Sequence, residues 1–243
     1  MTNQINTALL TTGSGPLSNA TLKSLLENSS LKVVVFSRKN KRLSIVKRLK
    51  DYGSWGSFQF LSSIIMNKLY NYQIKEKDIL LHDIEIANWG KSSDEQKILS
   101  TLKRKKIEII FVCSFQHRLN PSFYNQFTHC LNIHPSLLPE YRGPEPIFWG
   151  LLDKKTTFGV TVHQIDDGVD TGDIIAQTVI NRPIVPISWF VENDLAQKIQ
   201  PMLSDVIQKI KTGSLKPQKQ NGGCYRSFAT VENRRKSLLN TSP

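Results

Sequence analysis

A polar pair near the end of an apolar run has the side chains that acyl transfer requires. Asn132 and His134 stand two residues apart, so in a strand both side chains project from the same face. Pro135 cannot continue a hydrogen-bonded ladder, which places His134 at the C-terminal rim of the sheet. At such a rim an amide can hold a developing oxyanion, while an imidazole takes or gives a proton. Taken alone, a polar pair at a strand end more often only caps a loop.

An acidic loop favours the catalytic interpretation of that pair. The run Gly159–Ile165 has the composition of a strand, and the carboxylate-rich segment Asp166–Asp173 follows it directly. A carboxylate brought next to an imidazole raises the pKa of the imidazole and fixes its tautomer. We therefore expect this loop to pair with His134 in catalysis. Because no metal ligands follow in the C-terminal part, we predict no metal site.

Together these segments resemble a known family. Asn-Ile-His-Pro-Ser-Leu-Leu-Pro-x-Tyr-Arg-Gly begins at Asn132, Gly-Val-Thr-Val-His begins at Gly159, and Asp-x-Gly-x-Asp-Thr-Gly-Asp-Ile begins at Asp166. Motifs of this kind, in this order, are similar to those of the formyltransferases that use 10-formyltetrahydrofolate. The resemblance is strong over Ile107–Gln177 and weaker, with compatible order, over Asn6–Lys106. It implies formyl transfer from that folate without a metal.

The resemblance also implies roles for individual residues. The family's catalytic triad matches Asn132, His134 and Asp170. The loop that lines the family's folate site matches Phe115, Gln116, His117, Arg118 and Leu119, although Gln116–Arg118 depart from the more usual apolar and Arg-Ile arrangement. The pterin would be closed in from the other side by Asp166, Asp167, Gly168 and Val169. Arg142 and Gly143 lie where the acceptor should pass, and Arg142 is a candidate for binding its anionic group. His163 is interpreted as structural more readily than as catalytic.

Alternating strands and helices must position these residues. Apolar runs without polar alternation, separated by helical patterns, are typical of a parallel sheet that is covered on both faces. We predict strands at Thr7–Thr11, Lys32–Phe36, Asp78–His82, Ile107–Cys113 and His129–His134, and a hairpin-like edge from Phe158–Ile165 and Ile174–Val179. We predict helices at Ala20–Glu27, Lys41–Tyr52, Phe58–Tyr72, Ser93–Lys103 and Trp189–Lys211, the last kinked or broken at Pro201.

These patterns predict an α/β fold with a Rossmann-like, mostly parallel sheet and helices on both faces. We expect a catalytic domain over residues 1–183 and a C-terminal helix with a basic tail over residues 184–243. Within the first βα turn, Gly13 and Gly15 are present but the third glycine of a dinucleotide pattern is replaced by Ser18. A tight turn and a phosphate-binding turn therefore both stay open. The segment Gly222–Tyr225 either packs back onto the core or forms a contact in a homodimer.

Composition and charge limit the class of partner. With 39% hydrophobic and 21% charged residues, the chain is an ordinary globular protein rather than a disordered or fibrous one. No apolar run approaches the ~20 residues of a membrane span, and no secretory signal is visible. The three cysteines are isolated and form no CxxC pair, which argues against a disulfide framework. We therefore expect a cytoplasmic protein. The net charge of +12, concentrated at Arg38–Lys50, at Lys103–Lys106 and in the tail, favours an anionic partner or marks solvated helix faces.

The resemblance leaves the acceptor open. Amino-sugar N-formyltransferases are about this size with a short C-terminal appendage, so we expect a small anionic amine, foremost a nucleotide-linked amino sugar. Glycinamide ribonucleotide and methionyl-tRNA are the alternatives. The positive charge is compatible with tRNA as the acceptor. Methionyl-tRNA formyltransferases continue into a domain that binds tRNA, and we expect no such domain here, which counts against tRNA. A hypothesis of another class is a non-catalytic nucleic-acid-binding module. It predicts loss of a triad member and aromatic residues among the basic runs, and neither is seen.

Overall fold

Seven strands form one sheet in the computed structural model, which describes residues 4–37, 57–58, 61–185 and 187–234. The strands are β1 Asn6–Thr11, β2 Ser30–Ser37, β3 Glu85–Trp89, β4 Ile109–Cys113, β5 His129–His134, β6 Thr157–Gln164 and β7 Ile174–Asn181. Their order is β3-β2-β1-β4-β5-β6-β7. The first five strands pair in parallel, β6 is antiparallel to β5, and β7 is antiparallel to β6. The predicted Rossmann-like, mostly parallel sheet with a hairpin edge is confirmed.

Seven helices connect or follow these strands within the described residues. They are α1 Pro16–Asn28, α2 over residues 61–69, α3 Glu76–Leu80, α4 Glu95–Arg104, α5 Pro121–Tyr124, α6 Pro146–Leu152 and α7 Ser188–Lys211, with a last helical turn at residues 231–234. The predicted helix Lys41–Tyr52 and the basic run Arg38–Lys50 lie outside the described residues. Helix α7 continues through Pro201, so no break occurs there. None of the described helices has the length and apolar character needed to cross a membrane.

The predicted strand at Asp78–His82 is wrong. Its first residues lie in α3, and the sheet takes its edge strand β3 from Glu85–Trp89 instead. A short apolar run does not distinguish a strand from a helical turn by periodicity. Here Ile79 is buried while Leu80 and Leu81 are exposed, which a strand buried on both faces would not allow. The true edge strand is half polar, so its sequence gave a weak strand signal.

Helices cover both faces of the sheet, as the burial of consecutive residues along β1 and β4 requires. On β1, Leu9 packs into one core with side chains of α1 and α7, while Ala8 and Leu10 pack into the other core with side chains of α4 and α5. Helix α7 buries Leu195 and Ile199 in the same core as Leu9. The division of the chain at residue 183 stays a prediction.

Candidate active site

The loop that follows β5 is fixed to the neighbouring strand β6. Thr161 donates a 2.6 Å hydrogen bond to the carbonyl of Ser136 and accepts one of 3.2 Å from the backbone N–H of Leu138. Gln177 on β7 donates to the carbonyl of Leu138 at 2.8 Å. These contacts hold the chain immediately beyond His134, so the end of β5 has a defined exit from the sheet. Asn132 and His134 therefore lie at the edge where open α/β sheets bind ligands.

The loop between β6 and β7 brings Asp170 to that edge. Its Oδ1 accepts a 3.2 Å hydrogen bond from Nδ2 of Asn132, and its Oδ2 lies 3.6 Å from Nδ1 of His134. The backbone N–H of Gly143 donates to Oδ2 at 2.8 Å. Asp170 has a φ of +54°, a left-handed conformation that is strained for a residue with a Cβ. The structure thus brings together the three residues that the sequence assigned to catalysis.

A fourth side chain, His163, lies among these three. It stands opposite Asn132 in the antiparallel register of β5 and β6 and is almost fully buried. Its Nε2 lies 3.1 Å from Nδ2 of Asn132 and 3.4 Å from Oδ1 of Asp170. Its Nδ1 donates to the carbonyl of Gln164 at 2.8 Å, so in the neutral ring Nε2 is free to accept from Asn132. His163 contacts two catalytic candidates, a placement that the sequence analysis did not favour.

The tautomer of His134 follows from its neighbours. Nε2 lies 3.0 Å from the carbonyl oxygen of Tyr141, and because a carbonyl can only accept, Nε2 carries the hydrogen. Nδ1 of the neutral ring then has a free lone pair on the side of Asp170. Burial lowers the pKa of His134 below its ordinary value, and the Asp170 carboxylate opposes that change only in part. The ring is therefore neutral near pH 7 and can accept a proton at Nδ1.

Asp170 is ionised in this environment. Its burial favours the neutral acid, but the contacts that His163 and His134 make with it when their rings are protonated, together with the N–H of Gly143, outweigh that effect and lower the pKa of Asp170 to about 2. A permanently charged carboxylate can stabilise an imidazolium at His134 once a proton arrives. The arrangement is that of a base with a fixed orienting group.

One cavity of about 600 Å³ opens beside these residues. Its lining includes the three catalytic candidates Asn132, His134 and Asp170, and also His163. Most of the candidate binding residues also line it: Phe115, Gln116, His117, Arg118, Leu119, Gly143, Asp166, Gly168 and Val169. Two candidates, Asp167 and Arg142, do not belong to its lining. Among the described residues, no group of three or more His, Cys, Asp and Glu side chains could hold a metal ion.

A comparison with known families accounts for this combination of fold and site. The sequence profile described as formyl transferase matches residues 5–200, about four fifths of the chain. The chain belongs to the formyl transferase family. A methionyl-tRNA formyltransferase from Synechococcus sp. (strain JA-3-3Ab) is 32% identical over 143 residues, which are 58% of this chain and 44% of that protein. This formyl transferase chain thus spans about half or less of the length of the curated relatives that it matches.

Solved structures of other formyl transferases share the fold. Glycinamide ribonucleotide transformylase 1 from Symbiobacterium toebii superposes with a TM-score of 0.64 at 16% identity, covering 90% of this chain and 95% of that one. WlaRD, a sugar 3N-formyl transferase, superposes with a TM-score of 0.62 at 20% identity, covering 98% of this chain and 80% of that one. At such identities the likeness shows the fold alone.

The loop after β4 of this formyl transferase, which lines the cavity, contacts an aromatic cluster. His117 stacks on Trp89 with ring centroids 5.8 Å apart, and its Nε2 donates to the carbonyl of Trp89 at 3.1 Å. Phe115 meets the same indole edge-on at 5.4 Å. Arg118 donates to the carbonyl of Asp167, so the β4 loop and the β6–β7 loop touch across the cavity mouth.

Asp167 itself does not line the cavity. Its carboxylate accepts a hydrogen bond from the hydroxyl of Tyr124 on α5, which raises the pKa of Tyr124 to about 12. Asp166 stabilises the loop from within, because its Oδ1 accepts from the backbone N–H of Gly168 at 3.1 Å and from the hydroxyl of Thr171 at 2.7 Å. These two carboxylates shape the loop that carries Asp170.

A tail segment, here defined as residues 218–229, also contributes to the cavity lining through Tyr225 and Phe228. The backbone N–H of Arg142 donates to the carbonyl of Cys224 at 2.9 Å, and that of Arg226 donates to the carbonyl of Arg142 at 2.8 Å. Trp149 donates through Nε1 to the carbonyl of Ser227 at 3.0 Å. The segment around Gly222–Tyr225 therefore packs back onto the core. Sequence reasoning noted its paired glycines but not its place in the site.

The tail segment presents two aromatic rings to the cavity. Tyr225 and Phe228 line it, and they are 58% and 71% exposed although their backbone neighbours are hydrogen-bonded to the core. Tyr225 packs directly against Gly143, where a Cβ would lie 2.7 Å from its ring. Large apolar rings held in the open beside a catalytic cavity are available to contact a ligand.

The N-terminal glycine turn is closed by the protein itself. The backbone N–H of Gly15 donates to the carbonyl of Tyr72 at 3.0 Å, and that of Gly13 donates to the hydroxyl of Thr11 at 3.1 Å. At the N-terminus of α1, the N–H of Leu17 donates to a carboxylate oxygen of Glu192 from α7 at 3.3 Å. Burial raises the pKa of Glu192 to about 7. A carboxylate thus occupies the position at this helix end where an anion would be bound.

Proposed function

We propose that this protein transfers a formyl group from 10-formyltetrahydrofolate to the amine of a small acceptor. The observation that carries the proposal is the convergence of Asn132, His134 and Asp170 at the C-terminal edge of the sheet, where all three line one cavity. Membership of the formyl transferase family supports it.

The folate-side lining suits a flat, partly polar donor. Apolar surface comes from Val112, Phe115, Leu119 and Ile165, and backbone groups of the loops after β4 and β6 lie around it. We assign the pterin to this side, between residues 115–119 and residues 166–169. The WlaRD structure was determined with dTDP and 5-N-formyl-THF, which supports a folate on this fold. When bound, the donor supplies the formyl carbon on which the residues of this chain act.

The three catalytic candidates divide the proton and charge transfers among them. Neutral His134 takes a proton at Nδ1 from the attacking amine, and the resulting imidazolium pairs with the Asp170 carboxylate 3.6 Å away. The Asn132 amide faces the cavity and donates to the formyl oxygen as it gains negative charge, in place of its long 3.2 Å bond to Asp170. The imidazolium adds a positive charge beside that oxygen and then returns its proton to the leaving nitrogen. The lowered pKa of His134 supports this order of events, in which the imidazole first takes and then gives a proton.

For the acceptor, we favour a nucleotide-linked amino sugar. The exposed rings of Tyr225 and Phe228, which line the cavity, could stack on a base, since base–aromatic stacking contributes about 1–3 kcal/mol. The net charge of +12 would attract the diphosphate of such a substrate. The likeness to the sugar 3N-formyl transferase WlaRD, solved with dTDP, extends over 98% of this chain. A cytoplasmic location and a homodimer stay predictions.

Methionyl-tRNA is a second candidate because the relatives with 32% and 28% identity are methionyl-tRNA formyltransferases. An assay of tetrahydrofolate release separates the possibilities. The protein is supplied with 10-formyltetrahydrofolate and, in turn, a dTDP-linked amino sugar, glycinamide ribonucleotide and methionyl-tRNA, with His134→Ala as the blank. We expect turnover with the amino sugar, unchanged by a chelator. Turnover with none of the amines, together with binding of RNA, would favour the non-catalytic nucleic-acid module.

A further inference from the structure

Gln220 connects the tail segment to the catalytic loop, here defined as residues 166–173. We propose that Gln220 is a positioning residue: its side-chain amide holds the catalytic loop in the conformation in which Asp170 faces His134. The proposal rests on the formyl transfer proposed above. Gln220 lies outside the part of the chain that the family profile matches, residues 5–200, so membership of the family does not assign it a role.

All the polar atoms of the Gln220 amide are engaged. Its Nε2 donates to the carbonyl of Asp170 at 3.0 Å and to the carbonyl of Gly172 at 2.7 Å. Its Oε1 accepts from Nε and Nη2 of Arg142 at 3.1 and 2.8 Å. A carbonyl can only accept and a guanidinium can only donate, so this pattern permits a single orientation of the amide. The contact therefore specifies where the loop must lie.

The loop needs such a restraint at Asp170. This residue is held with φ at +54°, and strained conformations persist only where the surroundings over-determine them. The N–H of Gly143 fixes the Asp170 carboxylate from one side, while Gln220 fixes its carbonyl from the other. Without Gln220, the backbone at Asp170 can relax to an unstrained conformation, and the carboxylate moves away from His134.

The tail segment is anchored well enough to impose this restraint. Gln218 and Ile174 exchange two backbone hydrogen bonds of 2.8 and 2.7 Å just before Gln220, and the Cys224–Arg142 and Arg226–Arg142 backbone bonds follow it. Gln220 is thus held between two anchored positions in the chain. The tail segment therefore gives Gln220 a fixed position from which it restrains the strained backbone at Asp170.

This arrangement changes the interpretation of Arg142. Two of its guanidinium nitrogens are used on Gln220, and its side chain does not line the cavity. Arg142 acts, in this proposal, by orienting Gln220 rather than by binding the acceptor's anion. A direct anion contact and an orienting contact give different results in a double-mutant cycle.

Two variants test the role of Gln220. Gln220→Ala removes the whole contact, whereas Gln220→Glu keeps an oxygen for Arg142 but has no N–H for the two loop carbonyls. Gln218→Ala is the matched control, since the side chain of Gln218 is exposed and its described contacts are made by the backbone. For both Gln220 variants we expect kcat to fall by up to about 10²-fold, the cost of a ~1 Å misplacement, with little change in the KM of the donor. Thermal unfolding checks that each variant folds.

A second readout is independent of turnover. NMR titration of the His134 ring resonances reports whether Asp170 is still beside that ring, because the Asp170 charge raises the pKa of His134. We expect the pKa of His134 to fall in both Gln220 variants, as it does in Asp170→Asn, and to keep the wild-type value in Gln218→Ala. A wild-type His134 titration in folded Gln220→Glu would overturn the proposal. Absence of turnover in the wild-type protein, with the NMR shift present, would count against the proposed function alone.

The double change Arg142→Ala with Gln220→Ala tests the part played by Arg142. If Arg142 works through Gln220, the double variant has the kcat of Gln220→Ala and an unchanged acceptor KM. Additive losses with a raised acceptor KM would overturn this assignment of Arg142 and return it to the acceptor site.

Discussion

Nδ1 of His134 lies 3.6 Å from Oδ2 of Asp170, slightly too far for a strong hydrogen bond and close enough for a strong charge interaction. The neutral imidazole therefore has a free lone pair on that side, and the imidazolium has a partner. Such a pair favours a mechanism in which His134 accepts a proton from the attacking amine and then donates it to the leaving nitrogen.

Asp170→Asn should abolish most of the turnover while the donor still binds. The amide keeps the shape of the carboxylate but lacks its charge, and an imidazole that loses its orienting carboxylate loses up to about 10⁴-fold in kcat. Steady-state kinetics measure the loss, and calorimetry with 5-formyltetrahydrofolate measures binding. Because the pair acts as a unit, His134→Ala with Asp170→Asn should be little worse than either change alone. Multiplicative losses would contradict the assignment.

Asn132→Ala should be impaired but still measurable. Removal of one oxyanion donor costs roughly 10²–10³-fold in turnover. His163 also loses the partner of its Nε2, so the pH profile of this variant should be compared with that of the wild type. A loss of less than about 3-fold would argue that the amide does not stabilise the formyl oxygen.

The pH dependence of kcat/KM should show an acidic limb below pH 6.5. Burial lowers the pKa of His134 below its ordinary value of 6.5, and neutral His134 is the active form, so activity rises with pH through that lowered pKa and is level at neutral pH. The Asp170 carboxylate, ionised down to a pKa of about 2, contributes no limb in this range. In Asp170→Asn the residual activity should have its limb at still lower pH, since the charge that raised the pKa of His134 is gone. Activity that falls, rather than rises, as the pH increases through the pKa of His134 would show that protonated His134 is the active form.

Tyr225→Ala and Phe228→Ala should raise the KM of the acceptor and leave that of the donor unchanged. Both rings line the cavity and belong to the tail segment rather than to the loops assigned to the folate, and loss of one base–aromatic stack costs about 1–3 kcal/mol, or roughly 5- to 150-fold in affinity. Val169→Ala, on the folate side and 44% exposed, is the comparison variant and should act on the donor instead. A raised donor KM in the ring variants would place the folate's own aromatic ring there.

Glu192→Gln should change how stability depends on pH. The folded-state pKa of Glu192, about 7, lies above the ordinary value of 4.5, so this residue's contribution is complete below pH 4.5 and is lost as the pH rises through 7. The amide keeps an oxygen for the N–H of Leu17 and does not ionise. Its melting temperature should therefore exceed that of the wild type at pH 8 by more than it does at pH 5. An equal difference at both pH values would indicate that Glu192 titrates normally.

Some of the site could be predicted from the sequence because its causes are local. The two-residue spacing of Asn132 and His134 places both side chains on one face of any strand, and Pro135 ends that strand. Apolar runs separated by helical patterns predicted the parallel sheet, and the motif around Asp170 indicated the acidic loop. These features depend on neighbouring residues in the chain.

The tertiary structure decided what depends on distant residues. The register of β5 and β6 sets His163 opposite Asn132, and no local pattern specifies which residues of two strands face each other. Gln220 reaches Asp170 across 50 positions, and Glu192 reaches Leu17 across 175. The edge strand at Glu85–Trp89 also needed its partner β2 to be recognised. Local sequence fixes the direction of a side chain relative to its own backbone, whereas the packing of the whole chain determines what that side chain meets.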